Sequence, residues 1–353
     1  MTHLEERMEH DLREIREWFW QLGEDVEKAL RNAKKTLLLR DEKLAYETIL
    51  GDHPINRHSR ECDRMCHEFS ARYLPGAGIL REMASTIRAN IALERIGDYA
   101  VTICREALQL KEPPTGRFAA LIDALADEST SILSDSRAAF REGNSEKAIA
   151  QMQRAKRIKD RMDAVYEELF AQDDRMDGRT MMAIFVVLNT FKRAADQSKN
   201  ICDQTVFAVR GIAKIPKVYK ILFLSQAGSE TAQLATAIGR NDFPEAADFV
   251  PATAGDAQPL SSDLNYFLLE AGLPNDNLET EPLAVLTYDF TDFDVIVSVN
   301  GEVSDYVPHL PFHTSGLNWA IPEDAIYNEK LLRLREEIGG LVTLMAGDSS
   351  EQA

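Results

Sequence analysis

Leu93-Glu94-Arg95-Ile96-Gly97-Asp98-Tyr99-Ala100 and, at a shift of 98 residues, Phe191-Lys192-Arg193-Ala194-Ala195-Asp196 decide how this chain folds. At that one register Arg95 meets Arg193, Asp98 meets Asp196, Ile103 meets Ile201 and Cys104 meets Cys202. The coincidence is an internal repeat, and the sequence around each copy has helical period. Ile15, Trp18, Leu22, Val26, Ala29 and Leu30 recur at spacings of three and four, with Glu, Lys and Arg on the other face. A second pattern runs from Ile55 through Cys62, Met65, Cys66 and Phe69 to Tyr73 and breaks at Leu74-Pro75-Gly76-Ala77-Gly78. A third runs from Leu80 to Leu108 and stops at Pro113-Pro114. After Thr115-Gly116 the sequence begins again: helical patterns at Ala119–Phe140, Glu146–Phe170 and Thr180–Val209, with breaks at Gly143-Asn144 and Asp173–Gly178. The expected architecture is six helices in two three-helix repeats, about 1–112 and 117–212, stacked because neither half offers much core alone.

Charge and proline place the end of this part. Residues 1–216 hold 34 Lys+Arg and 36 Asp+Glu, and residues 217–353 hold 6 and 22, so the net charge is −2 before that point and −16 after it. Nine of the 13 prolines lie at 216 or later. A linker at 213–218 accounts for both shifts. At 353 residues and net −18 the chain has room for two cores and argues against a phosphate-backbone binder, which needs clustered cations. No apolar run reaches membrane-spanning length, and the charged start, MTHLEERMEHDLREIREW, lacks the apolar segment of a secretory signal. The expectation is therefore a cytoplasmic protein with neither nucleic acid nor membrane insertion. The four cysteines, Cys62, Cys66, Cys104 and Cys202, are too few for a disulfide scaffold and read as small buried apolar residues.

Glu94 and Asp98 at i,i+4 set two carboxylates above one another on one helix face. Like charges there repel, which invites a cation; ligation by oxygen alone suits a hard or borderline ion such as Mg, Mn or Fe. The same spacing also describes a solvated face in which Glu94 pairs with Arg95 or Arg88. The stretch Leu93–Ala100 resembles the signature of the phosphate-uptake regulator (PhoU) family, whose members are six-helix proteins built from two such repeats. Asp52-His53-Pro54-Ile55-Asn56, with Cys62-Asp63 beyond it, is similar to that family's other acidic segment, and the resemblance covers roughly residues 1–212. It implies a divalent or iron-type metal held by Glu94 and Asp98, with Asp52 and Asp63 as partners from the neighbouring helix. Repeat two departs from the pattern: Lys192 stands where the acid should be, so a salt bridge to Asp196 is expected there. His58, Cys62 and Cys66 at successive i+4 steps, with Asp63 and His67 also four apart, form a rival set for zinc, although the two cysteines fall on the apolar stripe.

The last third changes character. Tyr219–Leu224 is a β-branched and aromatic run that leads through Ser225-Gln226-Ala227-Gly228-Ser229-Glu230-Thr231 into a helical pattern, Ala232–Ile238: strand, tight loop, helix, the outline of a phosphate cradle. Further strands are expected at Asp248–Ala252, Ala284–Tyr288 and Phe293–Val299, with a helix near Asp263–Ala271, giving a parallel α/β sheet. These segments, with Thr253-Ala254-Gly255 and Leu317–Ala325, resemble the low-molecular-weight tyrosine phosphatase fold, closest to its thioredoxin-coupled arsenate reductase branch, over about 219–345. Active members begin the loop with cysteine and close it with arginine; here those positions hold Ser225 and Thr231. A serine hydroxyl without a nearby histidine is a poor nucleophile, and the donor fork is missing with the arginine. An anion roughly 5 Å from Glu230, at an effective dielectric of about 20, meets about 3 kcal/mol of repulsion. Asn300 stands where the reductases keep a further cysteine, and Glu323 or Asp324 is the relic of the general acid.

Together the resemblances imply a non-catalytic regulator. They imply that it restrains phosphate import and signalling by contact with the ATPase subunit of a phosphate ABC transporter and with a sensor histidine kinase. Three alternatives stand beside it: phosphoester hydrolysis at Ser225 or at a metal on Glu94 and Asp98; an oxyanion sensor whose loop binds phosphate or arsenate without chemistry; and a second part that is only a folded appendage or a homodimer contact.

Overall fold

The computed structural model describes residues 3–170, 177–212, 218–283, 290–311 and 313–346. The linker expected at 213–218, except residue 218, lies outside the described residues, as do most of the break expected at Asp173–Gly178 and the strand expected at Ala284–Tyr288. The chain divides into two compact units, Met1–Ile215 and Pro216–Ala353.

The first unit is helical: α1 (His3–Leu39), α2 (Glu42–Tyr73), α3 (Ala77–Gln109), α4 (Gly116–Glu142), α5 (Ser145–Phe170) and α6 (Gly178–Arg210). The ends follow local chemistry. Asp41 caps α2 by accepting from the Leu44 N–H at 3.0 Å, and Asp177 caps α6 through the Arg179 and Thr180 N–H groups. Helices α4 and α6 stop at Gly143 and Gly211, both left-handed. Helix α2 begins well before Ile55 and passes straight through Pro54, which is exposed. The missing proline N–H costs one helical bond on the solvent side.

The apolar stripes of all six helices merge into one core containing Leu22, Val26, Cys62, Cys66, Leu93, Ile96, Ile103, Ile122, Leu133, Phe191 and Ile201. The two repeats therefore share a single interior, with α3 against α6 and α1 against α4. The repeat register is visible in the packing. Cys104 and Cys202 are both fully buried beside hydroxyls of preceding helices, Thr36 and Thr48 for the first and Ser136 for the second; burial raises each thiol to about 11. Arg193 lies over the Tyr99 ring, 4.9 Å from its centroid, and ties the two copies together.

The second unit is α/β: β1 (Tyr219–Ser225), α7 (Thr231–Asp242), β2 (Ala247–Thr253), α8 (Ser262–Glu270), β3 (Glu281–Pro282), β4 (Val295–Ser298), α9 (Val303–Tyr306), β5 (Ser315–Asn318) and α10 (Tyr327–Ala346). The strands form one parallel sheet in the order β3-β2-β1-β4-β5. Alternate residues of β1 feed opposite faces: Ile221 and Phe223 join Ala235, Ile238, Phe249 and Leu334, while Leu222 and Leu224 join Ile296 and Val303. The loop that follows β1 thus emerges at the carboxyl end of a central strand, where α/β sheets present their ligands. No helix among the described residues is long and apolar enough to cross a membrane.

Candidate functional site

The acidic residues of the first repeat meet along the seam between α2 and α3. Gly97 makes that seam close: a Cβ there would lie 3.3 Å from Ile55 Cγ2 and 3.4 Å from Asp52 Oδ1. Asp52 Oδ2 accepts from Asn56 Nδ2 at 2.7 Å, whereas Asp52 Oδ1 and Asn56 Oδ1 are buried without hydrogen-bond partners. Burial, then the Asp98 charge, pushes the Asp52 carboxyl above the usual range. Burial, then Asp98 and Asp52, does the same to Glu94, with Arg95 and Arg60 opposing. Asp52, Glu94 and Asp98 therefore act on one another, although their oxygens do not converge to within 4.8 Å as a set.

Asp63 stands apart from that group. It lies eleven residues from Asp52, about 16 Å along the helix, and its Oδ1 accepts from Asn90 Nδ2 at 2.7 Å. Asn56 is the oxygen donor that sequence reasoning passed over as a ligand; its only signal was an i,i+4 spacing from Asp52. Orphaned carbonyl and carboxylate oxygens are donors of the kind a hard cation takes, but Asp52, Glu94 and Asp98 would have to draw closer to share one ion.

A group that does converge within 4.8 Å, His10, Asp11 and Glu14 at the start of α1, has its central carboxylate already engaged. Asp11 accepts from Tyr73 Oη at 2.7 Å and Arg72 Nη1 at 2.9 Å, which together with His10 hold its carboxyl low. The rival zinc set is not assembled. Cys62 and Cys66 face the core, their mutual hydrogen bond and burial push the Cys62 thiol far up, and the His58 ring rests against Trp18 at 5.0 Å.

The raised acids give a testable sign. A carboxyl whose folded pKa exceeds its unfolded value binds more protons folded, so its contribution to stability falls as pH rises from the ordinary carboxylate value to the raised one. Asp98→Asn removes the shared charge and should move both Asp52 and Glu94 downward in a carboxyl NMR titration; unchanged titrations would separate the three residues.

In the second unit the loop Ser225–Thr231 closes on itself. Ser225 is fully buried, and its Oγ donates toward Ser229 O at 3.2 Å and Ala252 O at 3.5 Å. The Gln226 N–H points to Asn300 Oδ1 at 3.4 Å, the Ser229 N–H to Gln226 O at 3.1 Å and the Thr231 N–H to Ser229 Oγ at 3.3 Å. Ala227 packs under Gly255, where a Cβ would come within 2.6 Å of its own, and Gly228 makes the turn at φ +86°. Glu230 accepts from the Tyr327 hydroxyl, which burial and then Glu230 push up to about 12, so that it remains a donor. Three of the loop's N–H groups, those of Gln226, Ser229 and Thr231, are thus taken by protein acceptors, and the Ser225 proton goes to backbone carbonyls.

The family model for the PhoU domain matches residues 19–107 and 122–205, one block in each repeat. The phosphate-specific transport system accessory protein PhoU homolog of Pseudomonas putida is 30% identical over 213 residues, 59% of this chain and 83% of that protein. The chain belongs to the PhoU family. The crystal structure of PhoU from Pseudomonas aeruginosa aligns with a TM-score of 0.56 at 26% identity, and that of the phosphate transport system regulatory protein PhoU from Streptococcus pneumoniae with 0.55 at 26%. Each alignment covers 99% of the solved chain and 58% or 59% of this one. The PhoU likeness thus belongs to the helical unit, and within it the two repeats are not equivalent. Lys192 Nζ lies 3.1 Å from Asp196 Oδ2, an ion pair where repeat one keeps the acids Glu94 and Asp98.

Proposed function

We propose that the chain is a non-catalytic regulator of phosphate uptake and of phosphate-responsive signalling. In this reading it works in the cytoplasm by contact with the ATPase subunit of a phosphate ABC transporter and with a sensor histidine kinase. The observation that carries the proposal is the P. putida relative, a phosphate-specific transport system accessory protein whose length is matched over 83% by this chain. The working division is a PhoU-like part at 1–212, a linker at 213–218 and an inactive phosphatase-like part at 219–353. Asp52, Glu94 and Asp98, with Asn56, hold a divalent or iron-type cation in repeat one; the orphaned Asp52 Oδ1 and Asn56 Oδ1 support this, and Asp63 drops from the set because it lies about 16 Å along the helix from Asp52.

The second part is a pseudo-phosphatase. Catalysis by Ser225 needs a free hydroxyl and a base, and this hydroxyl is buried and spent on carbonyls. Deleting the chain should raise phosphate uptake in phosphate-replete cells and switch on phosphate-starvation reporters. Unchanged uptake and reporter expression would remove the proposal. Purified chain should not turn over p-nitrophenyl phosphate; turnover lost on Ser225→Ala would favour the hydrolase reading instead.

A further inference from the structure

Beside the loop Ser225–Thr231 the second unit has a cavity of about 420 Å³, lined by Ser229, Glu230 and Thr231 on one side and Glu323, Tyr327 and Lys330 on the other. Lys330, on the first turn of α10, is only 6% exposed. An ammonium buried to that degree requires an anion, because an uncompensated interior charge is costly. The anion it finds is Glu323: Lys330 Nζ lies 3.3 Å from Glu323 Oε2 and 3.3 Å from Thr231 Oγ1. The other carboxylate oxygen, Glu323 Oε1, accepts from Ser229 Oγ at 2.7 Å and from Thr231 Oγ1 at 3.5 Å. Two hydroxyls at the start of the twelve-residue α7 and one cation from α10 therefore converge on a single carboxylate. Position 231 is a threonine, so the cradle's positive charge comes from a residue 99 positions away.

We infer that Ser229, Thr231 and Lys330 form an anion cradle whose resident ligand is the chain's own Glu323 carboxylate, so that a free carboxylate or tetrahedral oxyanion binds there only once Glu323 is removed or withdrawn. Glu323 sits in the turn between β5 and α10 with its side chain 40% exposed, so it is reached from solvent. Glu230, fixed by Tyr327 at the same cavity, adds to the repulsion that a second anion meets there. The consequence is a loop held in one liganded conformation whatever the phosphate concentration. This inference rests on the geometry of the second unit and is independent of the regulatory reading of the helical unit.

The test is calorimetry and thermal unfolding of the full chain with inorganic phosphate and with acetate, the latter replacing the deleted side-chain carboxylate. The native chain should show no saturable binding at millimolar anion. Glu323→Ala should bind at least about tenfold more tightly than the native chain, equivalent to about 1.4 kcal/mol, and its unfolding temperature should rise with either anion. Lys330→Met in the Glu323→Ala background should abolish both effects. If Glu323→Ala does not fold without anion, Glu323→Gln decides, since it keeps an acceptor for Ser229 but leaves Lys330 without its countercharge. Native binding as tight as the variant's, no gain in either Glu323 variant, or a gain that survives loss of Lys330 would each overturn the inference.

Discussion

Changing Glu27 to glutamine lowers the stability of the helical unit by about 3 kcal/mol or more, because it strands a buried guanidinium. Glu27 on α1 is 5% exposed, Arg137 on α4 is 3% exposed, and Arg137 Nη1 donates to Glu27 Oε2 across the repeat boundary. Burial works against the charged guanidinium, and Glu27 is the first of the groups that offset it. The remaining contacts of Arg137 are weaker: a hydrogen bond from Nη2 to Trp20 O at 3.1 Å and the Trp20 ring, 4.4 Å below it, with Arg141 at 4.4 Å from the same ring. Urea unfolding followed by far-UV circular dichroism reads the loss. Glu27→Leu combined with Arg137→Met should recover most of it, since an apolar pair leaves no charge to compensate. A single-variant loss below about 1 kcal/mol would place the ion pair among those that hydration replaces.

Gly239→Ala should cost the second unit about 1–3 kcal/mol, although alanine is intrinsically better than glycine in a helix by about 1 kcal/mol. A Cβ at 239 would stand 2.7 Å from the Phe249 ring. That ring is fully buried, parallel to Phe223 at 5.9 Å, and Phe223 in turn meets Trp319 at 5.6 Å. The backbone of β2 cannot retreat freely either, because Arg240 Nε and Nη2 hold Phe249 O at 3.1 and 2.8 Å. The Trp319 indole resonance should shift and the unit should unfold at lower temperature. A variant as stable as the native chain would mean that the three-ring stack yields more easily than its packing implies.

The six helices were legible from their period, with punctuation marking most later boundaries; both ends of α1 (His3–Leu39) and the start of α2 at Glu42 lie well outside the apolar patterns. Pro54 was the exception: it lies on the solvent side of α2, where one lost hydrogen bond does not end a helix. Glu94, Asp98 and Asp52 could be picked out by spacing and by likeness. The position of Asp63 could not, since it turns on Asn90, one turn before Glu94, reaching across the seam. The roles of Asn56 and Gly97 depend on how closely two helices approach, and no linear pattern carries that distance. In the second unit the apolar runs marked β1, β2 and β4. Strand β5, Ser315-Gly316-Leu317-Asn318, is a mostly exposed edge without an apolar run, and β3 has only two residues, so neither had a signal. Lys330 was invisible for a different reason: its partners Thr231 and Glu323 come together only when α10 folds back on the loop.

A regulator of the kind proposed acts by touching other proteins and converts nothing. Affinity capture of the full chain from phosphate-replete cells tests it most directly, with the phosphate transporter's ATPase subunit and the sensor kinase probed by name. The predicted result is recovery of at least one of them with the native chain; recovery of neither, from cells that express both, would contradict it.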